Sequence, residues 1–455
     1  MDIQAATSRF VPLACLFLTL STGCASYNQK TAGAFNAFLG GRFEAAVTSY
    51  ADTDTTGSTF LSGAEAGTAA MAAGDWEAAI EHFQRAASFS EEIEGRALAG
   101  ASNLAEGLTS WIFNEGTQAY QGEGFERVYV HACLGLCYLA QGRLEDVYVE
   151  ARRANALLEA EEELYEVEYQ AGGFGHLLSA LAYEFLGERD QAWIDYQRML
   201  DKGAAPELAG RAMQRLAPHL TRADEAQALL ERFGPHEAPP ENYANVILLA
   251  GVGLAPEKLG DTLAVPTGNG FFQMSVPRYQ FWNQPVAGLR LLHEESGLEL
   301  DSVLVENVED VASRNLSDRL TWMSAKSIAR GVGKVALTNH LGDEHGPLAE
   351  LAGNLFTMLT EQADLRAWRT LPANWHAARL FVPPGVSSFR LTAIGGEAIE
   401  LEPLLLDAGE SLIIIARSID RSLVAHVIGG TAVDLEPPSA DTSVGLLPND
   451  INSNE

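Results

Sequence analysis

Apolar and polar positions in the first half of the chain follow a helical period set inside a longer repeat. Four stretches carry it: GGRFEAAVTSY from Gly40, AGDWEAAIEHFQRAA from Ala73, QGRLEDVYVEARRA from Gln141 and LGERDQAWIDYQRML from Leu186. Each holds a reference glycine: Gly41, Gly74, Gly142 or Gly187. A bulky residue commonly follows two places later and an alanine usually five places later, as at Trp76, Ala79 and Ala192. Arg189 takes the bulky site of the last unit, and Val147 an alanine site of the third. Glycine permits a tight turn between two helices. Small residues let those helices approach, and bulky ones fill the gap to the next hairpin.

The first glycine spacing is 33 residues and the second 68, twice 34, which is the period of the tetratricopeptide (TPR) repeat. Residues 24–233 are therefore expected to form a TPR-like α-solenoid, with units around 30–54, 60–90, 128–160 and 173–202. A closing hairpin is expected over 205–233, its last helix capped by Thr221 and ended by Gly234.

The pattern changes after GPHEAPPENY, 234–243, a linker rich in proline and polar residues. NVILLAGVG, DTLAVP, FFQMSVP, GLRLL and ELDSVLVENV are short β-branched runs between turn residues. Two helical stretches follow, one from Val308 and one from Pro347. Then come two or three expected strand pairs, among them AARLFVPPG with SSFRLTAIG and EPLLLDAG with ESLIIIARSI. Residues 244–436 read as an α+β domain with short antiparallel strands, and 437–455 as a disordered acidic tail.

The first 23 residues have the order of a secretory signal: polar MDIQAATSRF, a short apolar VPLACLFLTL, then small residues before Cys24. A small residue before a cysteine at that place resembles the bacterial lipoprotein signal, although Ser21 stands where the usual motif has leucine. The resemblance implies an acylated Cys24. Ala25 in the next position favours the outer membrane, with the body facing the periplasm. The membrane partner is then lipid, held through the acyl chains. A net charge of -31, from 61 acidic and 30 basic residues, opposes nucleic-acid binding.

YQGEGFERVYVHACLGLCYLAQGRLEDVYVEARRAN and ADLRAWRTLPANWHAARLFVPPG resemble the hallmark stretches of an uncharacterised family of bacterial TPR-containing lipoproteins. The resemblance implies the same two-part architecture and envelope location. Such proteins tend to be encoded beside envelope lipoproteins, including penicillin-binding-protein activators. The family has no assigned catalytic residues, so none is carried over.

Motifs for chemistry are absent or incomplete. ARGVGKVAL lacks the first glycine and the Ser/Thr of a phosphate loop, with Ile328 and Val335 in those places. His340 and His345 lack the spacing of a helical zinc pair. No metal and no cofactor is expected. Cys133 and Cys137 stand at helical i,i+4 spacing, too far for an unstrained disulfide, and read as core packing.

The inner faces of the first helices fall on Tyr129, Ala132, Leu136 and Leu139 in the third unit, and on Leu177, Leu181, Glu184 and Phe185 in the fourth. This apolar groove is expected to be filled by the same chain, through the irregular segment 88–124 or the C-terminal domain; the alternative is that it receives an envelope protein or peptide. Glu126 and Arg127 are expected to cap or bridge hairpins, or to recognise a partner. The expected function is a non-enzymatic, membrane-anchored interaction scaffold. The alternatives are a regulator of peptidoglycan synthesis acting on a penicillin-binding protein, and a glycan-binding or hydrolytic protein using the second domain.

Overall fold

The computed structural model describes residues 26–99, 120–165, 171–235, 238–267, 270–318 and 364–433. The signal segment, Cys24, the ARGVGKVAL stretch, His340, His345, the helix expected from Pro347 and the acidic tail lie outside the described residues.

The chain is mixed, helical first and sheet-rich afterwards. The helices are α1 (Tyr27–Lys30), α2 (Ala32–Leu39), α3 (Phe43–Ala51), α4 (Thr53–Thr56), α5 (Thr59–Ala73), α6 (Trp76–Ala99), α7 (Gly124–Ala140), α8 (Leu144–Tyr165), α9 (Gly173–Phe185), α10 (Arg189–Asp201), α11 (Pro206–Leu216) and α12 (Ala223–Phe233). They pair as α2/α3, α5/α6, α7/α8, α9/α10 and α11/α12, and neighbouring pairs pack on each other. The hairpins of the four units turn at Gly41, Gly74, Gly142 and Gly187, each with φ between 68° and 80°. Only glycine takes that left-handed conformation without cost, which is why the sequence repeat is visible there. Small residues serve close approach as expected: a Cβ on Gly67 would lie 2.7 Å from the Phe83 ring. α8 runs on through the acidic stretch after Leu157 to Tyr165. Thr221 does not cap α12; Arg222 stands in that place without a side-chain hydrogen bond, and Gly234 ends the helix as expected.

The strands are β1 (Ala244–Val252), β2 (Glu257–Thr267), β3 (Gly270–Gln280), β4 (Leu289–His293), β5 (Leu298–Asp301), β6 (Val303–Asn307), β7 (Asn374–Val382), β8 (Gly385–Ser387), β9 (Phe389–Ala393), β10 (Ala398–Glu400), β11 (Leu404–Leu406), β12 (Ser411–Ile419), β13 (Ser422–Ile428) and β14 (Thr431–Ala432). Residues 308–318 are helical. The largest sheet has the order β13-β12-β1-β7-β6; a second has β10-β9-β4-β5, and two smaller ones are β14-β11-β8 and β2-β3.

The pairings differ from the expected ones in two ways. β7 pairs with β1 and β6, not with β9, and β12 pairs with β1 and β13, not with β11. β1 and β12 run parallel, so the domain is not antiparallel throughout. Sequence adjacency favours hairpins, but β1 and β12 are apolar on both faces and take the sheet centre, where burial is two-sided.

Alternation along these strands divides two cores. Ile247 and Leu249 of β1, Ile413 and Ile415 of β12, and Trp375 and Ala377 of β7 join one core with the helices. Val246, Leu248, Ala250, Leu412 and Ile414 face the other way, against Leu289, Leu291, Phe389 and Leu391 of the second sheet. The result is helices, then the five-stranded sheet, then the four-stranded sheet.

Candidate functional site

The apolar helical face is occupied by the chain itself. Tyr129, Ala132, Leu136, Leu139, Leu177 and Leu181 are each at most 3% exposed, in one core with Ile247, Leu249, Trp375, Ile413 and Ile415. Phe185 packs at the margin of that core. Glu184 is met by Arg379 of β7, whose two terminal nitrogens donate to its carboxylate at 2.9 and 2.7 Å. Tyr196 donates to the same carboxylate. Despite its burial, this cation holds Glu184 below the usual carboxylate range. Of the expected alternatives, the groove open to an external partner is corrected: the C-terminal domain of the same chain fills it.

Three buried carboxylates fasten the two parts together. Glu126, in the first turn of α7, accepts the backbone N–H of Trp368 at 2.7 Å, that of Glu123 at 2.9 Å and the Tyr120 hydroxyl at 2.6 Å. Glu65 of α5 accepts the backbone N–H groups of Arg369 and Thr370 at 2.9 and 3.1 Å, and the hydroxyls of Thr370 and Tyr27 at 2.6 and 2.8 Å. Glu306 runs the other way, from β6 into the helices. It accepts the N–H groups of Gly172 and Phe174 at the start of α9, at 2.8 and 2.9 Å, and the Tyr129 hydroxyl at 2.9 Å. A helix N-terminus presents unpaired N–H groups and a partial positive charge, so a carboxylate there is doubly favoured.

Aromatic packing follows the same seam. Trp375 stacks on Phe174 with centroids 4.1 Å apart and planes at 8°. Trp368 sits beside Phe83 at 5.9 Å and donates its indole N–H to Thr68 at 2.9 Å. Across the sheet, Arg417, Gly251, Trp375 and Glu306 are aligned on consecutive strands. Arg417 is 5% exposed and donates to the carbonyls of Gly251, Ser418 and Thr370. Its burial lowers the guanidinium pKa to about 9. Lys258 of β2 pairs with Glu123 just before α7. Burial, opposed by Lys258 and reinforced by Glu123, pushes the Glu126 carboxyl up to about 7.

Compared with family models, curated proteins and solved structures, the chain matches none. The site therefore stands on its own chemistry.

Two hairpins carry the same polar device at an offset of 45 positions. His131 meets Glu150 at 2.6 Å and Arg153 meets Glu150 at 3.0 Å; His176 meets Asp195 at 2.9 Å and Arg198 meets Asp195 at 3.4 Å. Ser179 also donates to Asp195, at 2.7 Å. The serine and histidine thus share one carboxylate rather than forming a serine–histidine relay, and both are at most 4% exposed. Cys133 and Cys137 are free thiols with no exposure, and burial pushes both well above the ordinary thiol range. Neither is placed for nucleophilic chemistry. A cavity of about 260 Å³ lies between α6, α7 and α8, floored by Phe60, Ala87, Val130 and Leu157 and edged by Arg153.

Glu126 caps α7 as expected, but it joins the helix to the Trp368 segment rather than to another hairpin; Arg127 meets Glu161 of α8, within its own hairpin, at 2.8 Å. Glu65 and Glu306 were missed. Glu65 is a single acid in TFLSGAEAGTAAMAA, a helix otherwise built of apolar, small and hydroxyl residues. A lone acid in such a stretch is the signal that could have pointed to it. Glu306 is the penultimate residue of the short strand β6 and carries no local signal.

Proposed function

We propose that this chain is a lipid-anchored protein of the bacterial cell envelope whose TPR-type helical array holds its own C-terminal domain and meets other proteins with its outer face. The observation that carries this is the occupied inner face, closed by the carboxylates of Glu65, Glu126 and Glu306. With that face buried, the partner surface moves to the second helices of the hairpins. Val149 on α8, Ile194 on α10 and Leu230 on α12 are exposed at 37, 38 and 42%. Val149 and Ile194 are again 45 positions apart, so they occupy equivalent places in two hairpins. Equivalent exposed apolar positions on stacked units make a continuous row of the kind repeat proteins use for binding. Serine hydroxyls meet histidine rings, Ser296 with His293 at 2.7 Å and Ser302 with His376 at 3.3 Å; the reading of interaction rests on the apolar row, not on a lack of such pairs.

Photo-crosslinking amino acids placed at Val149 and Ile194 in cells test this. The same envelope protein should be trapped from both positions and not from Glu397, which lies on the second sheet's side. Failure to trap any protein from either helix contradicts the reading.

A further inference from the structure

Arg417 of β12 is a buried cation with which no carboxylate among the described residues is paired. Its terminal nitrogens donate to the carbonyls of Gly251, Ser418 and Thr370. Those bonds leave the Nε–H, which has no partner among the described residues. Carbonyl dipoles ease the burial of a guanidinium but do not balance its charge, and a buried charge is costly without a counter-charge.

Trp375 of β7 has a matching deficit. It is 1% exposed, and its indole N–H also has no partner among the described residues, whereas that of Trp368 finds Thr68 at 2.9 Å. A buried indole N–H usually has one. Register sets the two donors on either side of one residue: Gly251 of β1 lies opposite Arg417 on one flank and Trp375 on the other. Gly251 leaves the interval open, because a Cβ there would lie 3.4 Å from Arg417 Cδ and 2.6 Å from the Pro372 ring.

Gly251, Arg417 and Trp375 border a cavity of about 10 Å³, walled by Met71 of α5, Leu136 of α7 and Ile415 of β12. His426 of β13 closes the edge, and its Nε2–H is taken up by the Ala72 carbonyl at 3.0 Å. Space on this scale admits one water-sized particle. A water there would accept from both donors but must also place two protons of its own, and the apolar wall offers little to accept them. A monatomic anion accepts from both, has no protons to place and supplies the charge that Arg417 lacks. Sulfate and phosphate are too large. Chloride is only slightly larger than a water molecule.

We propose that this cavity is a chloride site, with the ion held by the Nε–H of Arg417 and the indole N–H of Trp375. Its wall is shared by α5, α7, β7 and β12, so the ion fastens the helices to the sheet. An ion bound only by the folded chain stabilises it by mass action.

The test unfolds the full chain, purified in detergent, by heat in sodium chloride and in sodium gluconate at matched ionic strength. The midpoint should rise with chloride along a saturating curve, and bromide should replace chloride. Trp375→Phe keeps an aromatic ring against Phe174 but removes the indole N–H. In that variant the chloride concentration giving half the effect should rise several-fold. Equal midpoints in the two salts, or a chloride curve unchanged by Trp375→Phe, overturn the site. If Trp375→Phe does not fold, crystals of the unaltered protein grown in sodium bromide decide. An anomalous peak between Arg417 Nε and Trp375 Nε1 supports the site. Density there without anomalous signal is a water and overturns it.

Discussion

The Glu126 carboxylate accepts the backbone N–H of Trp368 at 2.7 Å, across 242 positions of sequence. A side chain from the helices thereby satisfies the main chain of the segment that leads into β7. Glu65 does the same for the next two residues, Arg369 and Thr370. Main-chain groups buried without partners cost free energy, so this segment is stable where it lies only with both acids in place.

Glu126→Ala removes an acceptor that serves three donors. Leaving buried donors unpaired costs about 1–3 kcal/mol each. The variant should lose at least about 2 kcal/mol in urea unfolding. Thr53→Ala, an exposed change, should lose little.

Glu126 also sets a pH dependence. Its folded pKa is raised from 4.5 to about 7 by burial. The folded state then holds a proton that the unfolded state releases between those values. The stability from this group is fully present below about 4.5 and is lost as pH rises through about 7. Glu126→Gln is neutral at every pH. Its stability relative to the unaltered protein should rise between pH 5 and pH 8, as read by denaturant midpoints at each pH. A difference that is flat or falls with pH contradicts the assignment.

The ion pair between Arg379 and Glu184 is 10 and 14% exposed. Removing one partner of a buried pair costs about 3–5 kcal/mol. Arg379→Ala should approach that loss, and Arg379→Lys should recover only part, because one ammonium replaces a two-point guanidinium. Thermal unfolding of the two variants provides the comparison.

Glycines in the helical part separate into two kinds. A Cβ on Gly67 meets the Phe83 ring at 2.7 Å, whereas one on Gly33 meets nothing within 4 Å. Gly67→Ala should destabilise by about 1–3 kcal/mol through overpacking. Gly33→Ala, inside α2, should be neutral or stabilise by up to about 1 kcal/mol.

Much of the helical half was legible because its turns demand glycine and its inner positions demand small residues. The hairpins at Gly74, Gly142 and Gly187 fall where the repeat placed them. The strands of the second half were legible as runs, from NVILLAGVG to ESLIIIARSI, but their partners were not. Ile247 faces Ile413 from 166 positions away, and no local pattern records such a pairing. Thr221 failed as a cap because the helix starts later, at Ala223. At the site, an apolar face on Leu136 and Leu181 was visible and the C-terminal domain was among its expected occupants, but the contacts that seat it were not. Occupancy depends on Glu65 and Glu306, whose roles arise only when distant segments meet.

Cys133 and Cys137 occupy the same packed face of α7 with no exposure. The folded protein should react with no thiol reagent at these positions. Both should become reactive once it is unfolded. A thiol that reacts in the native protein, or a disulfide between them, opposes the packing role.

The closure of the helical face by the chain's own segment is tested most directly by amide hydrogen exchange at Trp368, Arg369 and Thr370 in the native protein. These three N–H groups should be among the slowest in the molecule and exchange only with global unfolding, together with the centre of β1. Exchange of all three at the rate of exposed loops, while β1 stays protected, would show a segment that leaves the helices freely and a face open to partners.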